Sequence, residues 1–210
     1  MEYLPAILTV ALVHFLAVVS PGPDFVMILR NSLLFSRRSG IYAAIGLGLG
    51  ICVHVAYSLA GIALVISQSV LLFNIVKLLG ASYLIYIGIK SLRAKRSDVK
   101  HLGTVEEKAD LTKWQAIRTG FITNATNPKA TLFFLSLFTL VIEPTTPLIV
   151  KFVMGVEMAV VTALWFALVA VLVSHRIIRN RIASVQHYVE RFMGGILILF
   201  GIKLATSNIK

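Results

Sequence analysis

Acidic residues and cysteine are both scarce in this sequence. Its 210 residues include only 9 aspartates and glutamates, against 20 lysines and arginines, and a single cysteine. One cysteine excludes an intrachain disulfide, and no pair of Cys or His residues stands at metal-ligand spacing. Charged residues make up 14% of the chain, whereas a soluble domain carries about 25%. The chain therefore lacks the polar surface with which a soluble globule of this size covers itself.

Motifs for catalysis and for nucleic-acid binding are missing as well. We find no phosphate-binding loop and no nucleophile motif, so we expect no enzyme activity and neither a cofactor nor a metal. The net charge of +11 would suit an anionic partner, but the basic loops lack the interleaved aromatic residues of nucleic-acid binders. Nucleic acid is therefore not an expected partner.

Apolar segments make up most of what is present. Hydrophobic residues account for 58% of the chain, and the mean hydropathy is +0.88. A membrane-spanning helix needs about 20 mostly apolar residues. Six segments meet this requirement, at approximately 4–29, 41–66, 70–92, 116–141, 148–174 and 184–206. The composition predicts an all-α polytopic membrane protein, with six transmembrane helices forming a single membrane domain in the lipid bilayer.

The third and sixth segments resemble each other. Residues 79–92 read LGASYLIYIGIKSL and residues 192–205 read FMGGILILFGIKLA, which align without a gap and share the run Gly-Ile-Lys. With three helices per half, the second half enters the membrane from the opposite side. The pattern predicts a 3+3 inverted repeat, a common transporter plan with its site at the repeat interface. The repeats are expected at 1–92 and 116–210, joined by a polar cytoplasmic linker at 93–115.

Proline interrupts two of the apolar segments, within SPGPDF in the first and NATNPK in the fourth. In each, a good N-cap residue precedes a proline, as Ser20-Pro21 and Asn127-Pro128, and proline is favoured at the first helical position. We therefore expect the first and fourth helices to be broken, with half-helices that start at Pro21 and Pro128. The N–H groups freed at such starts favour an anion such as a carboxylate.

An acid and a base stand directly beside these breaks. Asp24 follows the first and Lys129 the second, and a charge inside a membrane is costly and is usually paired or functional. One interpretation is a structural Asp24–Lys129 ion pair. The other is that an amino acid inserts between them, with its ammonium on Asp24 and its carboxylate on Lys129, Asn127 and the freed N–H groups. Gly22 leaves room for a close approach.

Other polar residues in the apolar segments are further candidates. Asn124 is placed to bond carbonyl groups freed by the second break. Proton coupling is assigned to Asp24, Glu157 and His54, since buried acids and histidines relay protons in transporters. For Glu157 the alternative is a satisfied buried acid. For His54, which ends the close-packing pattern Gly-x3-Gly-x3-His, it is a hydrogen bond to a neighbouring helix. We expect His14 to be structural.

Four stretches together resemble a known family. SPGPDF, the basic turn SRRSG, GLGLGICVH and GFITNATNPKATLFF are similar to the lysine exporter (LysE) superfamily, and within it to the homoserine/threonine resistance (RhtB) branch of amino-acid exporters. The resemblance covers nearly the whole chain. It implies a bacterial inner-membrane exporter of neutral amino acids or their derivatives, driven by the proton gradient. It also implies a set of signature positions: Ser20, Pro21, Gly22, Pro23, Asp24, Asn127, Pro128 and Lys129.

The favoured interpretation is a secondary transporter that exports a small neutral amino acid by proton antiport, because a proton and an ammonium group would compete for Asp24. Two alternatives stay open. One is a cation or metal exporter, which would need several converging acids or histidines. The other is a membrane scaffold without transport. The identity of the amino acid stays open, as does the oligomeric state, with a homo-oligomer as one alternative.

Lysine and arginine predict the orientation in the membrane. The gaps after the first, third and fifth segments hold 14 of these residues, and the opposite side holds four. The positive-inside rule therefore places the odd-numbered loops in the cytoplasm and both termini outside.

Reporters fused after Lys210 test this orientation. We expect alkaline phosphatase, which is active only outside the cytoplasm, to be active there, and a green fluorescent protein fusion to be dark. The same reporters fused after Arg96, in the predicted cytoplasmic linker, are the control and should behave in the opposite way. A fluorescent fusion at Lys210 would show that the C-terminus lies in the cytoplasm and that the predicted orientation is wrong.

Overall fold

The chain is mainly helical over the residues that the computed structural model describes, which are 3–20, 22–68, 70–93, 109–141, 146–174 and 176–206. No residue in these ranges lies in a strand, so the all-α class is confirmed for them. The helices, in chain order, are α1 (Leu4–Val19), α2 (Pro23–Leu34), α3 (Arg37–Gln68), α4 (Val70–Leu92), α5 (Lys113–Ala125), α6 (Pro128–Val141), α7 (Leu148–Val173) and α8 (Arg176–Thr206).

Both predicted helix breaks are present. α1 and α2 divide the first apolar segment and meet at a bend of 55°, and α5 and α6 divide the fourth. Within the described ranges, two helices are long and apolar enough to cross a membrane, Arg37–Ala60 and Leu148–Val173. The bent pair α1 and α2 makes a third if it counts as one span.

Some helices begin before the apolar segments that predicted them, and α5 shows why. It starts at Lys113 because Thr112 and Gln115 form a capping box. The Thr112 hydroxyl oxygen accepts from the Gln115 N–H at 3.3 Å, and the Gln115 side chain accepts from the Thr112 N–H at 3.0 Å. The Thr-x-x-Gln spacing was a readable signal for this start. α5 thus begins inside the range predicted as linker, of which 94–108 lie outside the described residues.

Asp110, just before α5, is tied to the start of α3. Its carboxylate accepts hydrogen bonds from the hydroxyl of Ser39 and, at 2.7 Å, from that of Ser36. These two bonds lower the pKa of the exposed Asp110 carboxyl. A helix N-terminus also favours a negative charge, so the segment that leads into α5 is fixed onto α3.

Glycine lets α3 and α5 approach at backbone distance. α3 packs extensively against both α5 and α7. A Cβ on Gly46 of α3 would lie 2.1 Å from the carbonyl oxygen of Ile117, and a Cβ on Gly120 of α5 would lie 2.0 Å from that of Ala43. No side chain fits at either position, which is the packing that small residues permit between membrane helices.

The interface between α4 and α8 repeats one contact twice. A Cβ on Gly88 would lie 2.6 Å from Cγ1 of Ile198 and 2.7 Å from a carbonyl oxygen of α8. A Cβ on Gly201 would lie 2.6 Å from Cγ1 of Ile85 and 2.9 Å from a carbonyl oxygen of α4. The gap-free alignment of the two segments pairs Gly88 with Gly201 and Ile85 with Ile198. Equivalent positions therefore make equivalent contacts across this interface.

A long apolar stripe faces outward on α7. Its members recur at every fourth residue and are each between 45% and 65% exposed: Phe152, Val156, Val160, Leu164 and Leu168. Contiguous exposed apolar surface is unfavourable in water and marks contact with a partner or a membrane. This stripe suits the acyl chains of lipid, whereas the opposite face of α7 buries residues such as Met154 and Met158 in the core.

One added methyl group tests the contact between α3 and α5. Gly120→Ala forces a Cβ to within 2.0 Å of the Ala43 carbonyl oxygen and should destabilise the protein by roughly 1–3 kcal/mol, the usual cost of overpacking. Gly195→Ala on α8 is the matched control, since a Cβ there meets nothing within 4 Å and alanine is the better helix former. Thermal unfolding in detergent measures both. Equal unfolding midpoints for the two variants would contradict the packing.

Candidate functional site

The first break starts where Ser20 ends α1, with its N–H donating to the Leu16 carbonyl at 3.3 Å. Gly22, in extended backbone, precedes Pro23, which is the first residue of α2. The prediction that Ser20 caps the second half-helix and that this helix starts at Pro21 is therefore wrong, because the start lies two residues later. Both prolines of SPGPDF suit a first helical position, and the chain uses the second. Pro21 itself lies outside the described residues.

The second break follows the prediction. α6 starts at Pro128, and the Asn127 side-chain oxygen accepts from the Lys129 N–H at 3.0 Å. Asn127 is thus the N-cap of α6 and satisfies one of the N–H groups that a helix start leaves without a partner.

Asp24 and Lys129 hold equivalent places and reach across to each other's break. Each is the second residue of its half-helix, in α2 and in α6. The Asp24 carboxylate accepts from the side-chain amides of Asn124 at 2.8 Å and of Asn127 at 3.1 Å. The Lys129 ammonium donates to the Ser20 carbonyl at 2.9 Å. Asp24 thereby sits at the positive end of the α2 dipole, and Lys129 sits at the negative end of α1.

Gly22 makes room for the lysine. A Cβ on Gly22 would lie 3.3 Å from Cδ and 3.4 Å from Nζ of Lys129, so the lysine side chain passes directly over the glycine. This is the close approach expected of Gly22 from the sequence. A side chain larger than alanine at this position would displace the ammonium from the Ser20 carbonyl.

Six of the predicted binding residues line one cavity: Ser20, Gly22, Asp24, Asn124, Asn127 and Lys129. The accessible volume of this cavity is about 50 Å³, which is room for several water molecules. Its remaining wall is largely apolar and aromatic, with Phe25, Phe133 and Phe166 among its residues. A mostly apolar cavity with a few converging polar groups is the usual form of a small-molecule site.

Two polar residues of this wall were not predicted as site residues. His14 of α1 and Thr162 of α7 are each 1% exposed, line the cavity, and approach each other at 3.3 Å between Nε2 and Oγ1. His14 was expected to be structural, and Thr162 carried no signal beyond being a polar residue within an apolar segment.

The structure places the two other proton-coupling candidates away from the cavity lining. His54 on α3 has Nε2 2.8 Å from the Asn124 carbonyl oxygen, the hydrogen bond to a neighbouring helix that was its alternative interpretation. Glu157 on α7 is partly buried, and its Oε2 atom has no hydrogen-bond partner among the described residues. Among the residues that the structure describes, neither belongs to the set that lines the cavity.

A family model described as LysE type translocator matches residues 15–208 of the chain. The chain belongs to the LysE type translocator family. The family expected from SPGPDF and NATNPK is thus confirmed, and the protein is a multi-pass membrane transporter rather than an enzyme.

The LysE-family chain is similar to several known bacterial proteins over nearly its whole length. It is 28% identical over 202 residues to the threonine efflux protein of Escherichia coli (strain K12), covering 96% of this chain and 98% of that protein. It is 29% identical to the threonine efflux protein of Salmonella typhimurium, with 95% and 97% covered. It is 27% identical to the uncharacterized membrane protein YrhP of Bacillus subtilis, with 90% and 93% covered. No solved structure matches the chain.

Substitutions at Asn127 separate its two roles, capping α6 and bonding Asp24. Asn127→Ser keeps a capping oxygen but is too short to reach Asp24, whereas Asn127→Ala loses both contacts. We expect the alanine variant to be less stable than the serine variant by about 1 kcal/mol, the usual worth of an N-cap. Thermal unfolding in detergent measures the difference, and equal stability of the two variants would mean that the cap contributes nothing.

Proposed function

We propose that the protein exports a small neutral amino acid. The ammonium and the carboxylate of this substrate would be bound at the two helix breaks. The observation that carries this proposal is one cavity lined by a carboxylate and an ammonium, Asp24 and Lys129, each at the start of a half-helix. The similarity of the chain to threonine efflux proteins supports an amino acid as the substrate.

The charges of the site suit a zwitterion. Asp24 and Lys129 are together neutral, and an amino acid with an uncharged side chain adds one charge of each sign. Its ammonium would donate to Asp24, while its carboxylate would accept from Lys129 and from the N–H groups at the half-helix starts, where the dipole favours an anion. A charged side chain would leave one charge uncompensated, which is costly within a membrane. Neutral amino acids are therefore favoured over acidic and basic ones.

The present hydrogen bonds can be exchanged for those of a substrate. Asp24 is held by the neutral amides of Asn124 and Asn127, and an ammonium donor forms a stronger bond to a carboxylate than an amide does. Polar atoms without a partner among the described residues also lie in side chains that line the cavity: Oγ of Ser20, Oδ1 of Asn124 and Nδ1 of His14. Buried polar atoms are normally hydrogen-bonded, so a polar ligand has groups to satisfy here.

Proton antiport is the coupling that follows from a single carboxylate. Asp24 can hold a proton or the substrate's ammonium, but a protonated carboxyl no longer attracts an ammonium. Proton entry would then release the substrate, and loss of the proton would restore the site. Glu157 and His54 are the other titratable groups to which we assign a part in coupling, and His54 takes part through its contact with Asn124.

The architecture that suits this function has six transmembrane helices in a 3+3 inverted repeat, with repeats at 1–92 and 116–210 and a cytoplasmic linker at 93–115. The equivalent contacts of Gly88 and Gly201 support it, as do the matching half-helix starts at Pro23 and Pro128. Both termini would lie on the outer side of the bacterial inner membrane, away from the cytoplasm. Rocking of one repeat against the other would alternate access to the site between them.

Uptake of labelled L-threonine into everted membrane vesicles tests the proposal. Asp24→Asn should lower proton-driven uptake roughly tenfold or more, since a hydrogen bond to a charged group contributes about 1.5–3 kcal/mol. Lys129→Met should do the same, because the substrate carboxylate loses its cation.

A matched control removes a charge at an exposed position. Lys203→Met alters a side chain outside the cavity and should keep wild-type uptake. All three variants are compared at equal abundance in the membrane. Undiminished, still proton-driven uptake by Asp24→Asn would overturn its role in binding and coupling.

A further inference from the structure

The Asn124 carbonyl loses its normal helical partner at the second break. In an unbroken helix it would accept from the N–H group four residues later, but that residue is Pro128, which has none. The carbonyl oxygen instead accepts from the Asn127 N–H at 2.8 Å and lies 2.8 Å from Nε2 of His54 on α3. His54 therefore supplies a second donor to a carbonyl whose normal helical partner the proline removed.

This contact requires a proton on Nε2 of His54. A carbonyl oxygen only accepts, so Nε2 must carry a proton. The other ring nitrogen, Nδ1, is hydrogen-bonded to the hydroxyl of Tyr57, one turn further along α3. In a neutral imidazole this nitrogen is an acceptor, so the hydroxyl donates to it. The Asn124 carbonyl thus selects the tautomer of the neutral ring, and the Tyr57 hydroxyl completes the arrangement by donating to Nδ1.

The ring of His54 is also held in place by packing. His54 is 0% exposed, and its ring stacks on that of Phe134 of α6 with centroids 5.4 Å apart and planes at 17°. His54 therefore contacts both halves of the broken helix, α5 through the Asn124 carbonyl and α6 through Phe134. An imidazole clamped in this way can aim a hydrogen bond with little freedom to turn.

We propose that Tyr57 and His54 are positioning residues, which hold Asn124 so that its side-chain amide donates to Asp24. The connection runs from the Tyr57 hydroxyl through His54 to the Asn124 carbonyl, and Nδ2 of the same Asn124 lies 2.8 Å from Asp24. Neither residue is among the described residues that line the cavity, so both act on the substrate site through Asn124.

The bond that holds Asn124 depends on the proton at Nε2 alone. A second proton on the ring would bind Nδ1 and reverse the bond with Tyr57, whose oxygen would then accept, while the Nε2–H bond to Asn124 would remain. His54 contributes to coupling by keeping the amide in place beside Asp24, where the proton and the substrate compete.

Nitrogen NMR of the full chain, labelled with ¹⁵N-histidine and embedded in lipid bilayers, tests the tautomer directly. The His54 signals are assigned by their loss in His54→Gln. At neutral pH we expect a neutral ring with its proton on Nε2, and a shifted Nδ1 resonance in Tyr57→Phe, which removes the donor. Tyr86→Phe is the control, because Tyr86 on α4 is 58% exposed, and it should leave the signals unchanged. A ring protonated at Nδ1 alone, which cannot donate to the Asn124 carbonyl, would overturn the proposal, and an imidazolium would overturn the role of Tyr57 as the donor to Nδ1.

Transport kinetics test the positioning role, and this readout rests on the proposed function. With L-threonine as the probe, Tyr57→Phe should raise KM about three- to tenfold, the range expected for one lost hydrogen bond, with Vmax little changed. His54→Gln, which keeps an amide donor near the place of Nε2, should stay closer to wild type than His54→Leu. An unchanged KM in His54→Leu, with normal abundance of the protein in the membrane, would contradict the positioning role. Absence of transport in the wild type would instead count against the proposed function, while the NMR result still decides the tautomer.

Discussion

Hydrogen bonds that cross between the two helix breaks organise the rest of the structure. The Lys129 ammonium donates to the Ser20 carbonyl at the end of α1. The side-chain amides of Asn124 and Asn127 donate to Asp24 at the start of α2. A helix break at membrane depth frees polar backbone groups and is tolerated only where protein or water supplies partners for them. Here the second break supplies partners for a backbone carbonyl and a carboxylate of the first, so the first break depends on the second.

Close helix packing is what brings these groups within reach. A Cβ on Gly50 of α3 would lie 2.7 Å from Cβ of Asn124, so only glycine at this position lets α5 place Asn124 beside Asp24. His54 lies four residues further along α3, on the same face, and meets the carbonyl of the same asparagine. One stripe of α3 therefore sets both the distance of the second break from the first and the partner of its carbonyl.

The sequence alone was sufficient to predict the broken helices and the Asn127 cap, because proline and cap residues act on the backbone next to them. It also marked Asp24 and Lys129 as site residues, because a charge within a membrane is energetically costly. The start of α2 was not predictable in the same way, since Pro21 and Pro23 both suit a first helical position and the choice depends on what packs around them. The partner of His54 needed the fold, because it lies on another helix. Hydropathy likewise does not separate the lipid-facing stripe of α7 from its core face, since both are apolar.

Asp24 and Lys129 carry opposite charges at the same position of two corresponding half-helices. A carboxylate at both positions, or an ammonium at both, would place like charges together, which is unfavourable within a membrane. A neutral site therefore requires that α2 and α6 differ at this one position, and a single chain that contains both helices always supplies one charge of each sign.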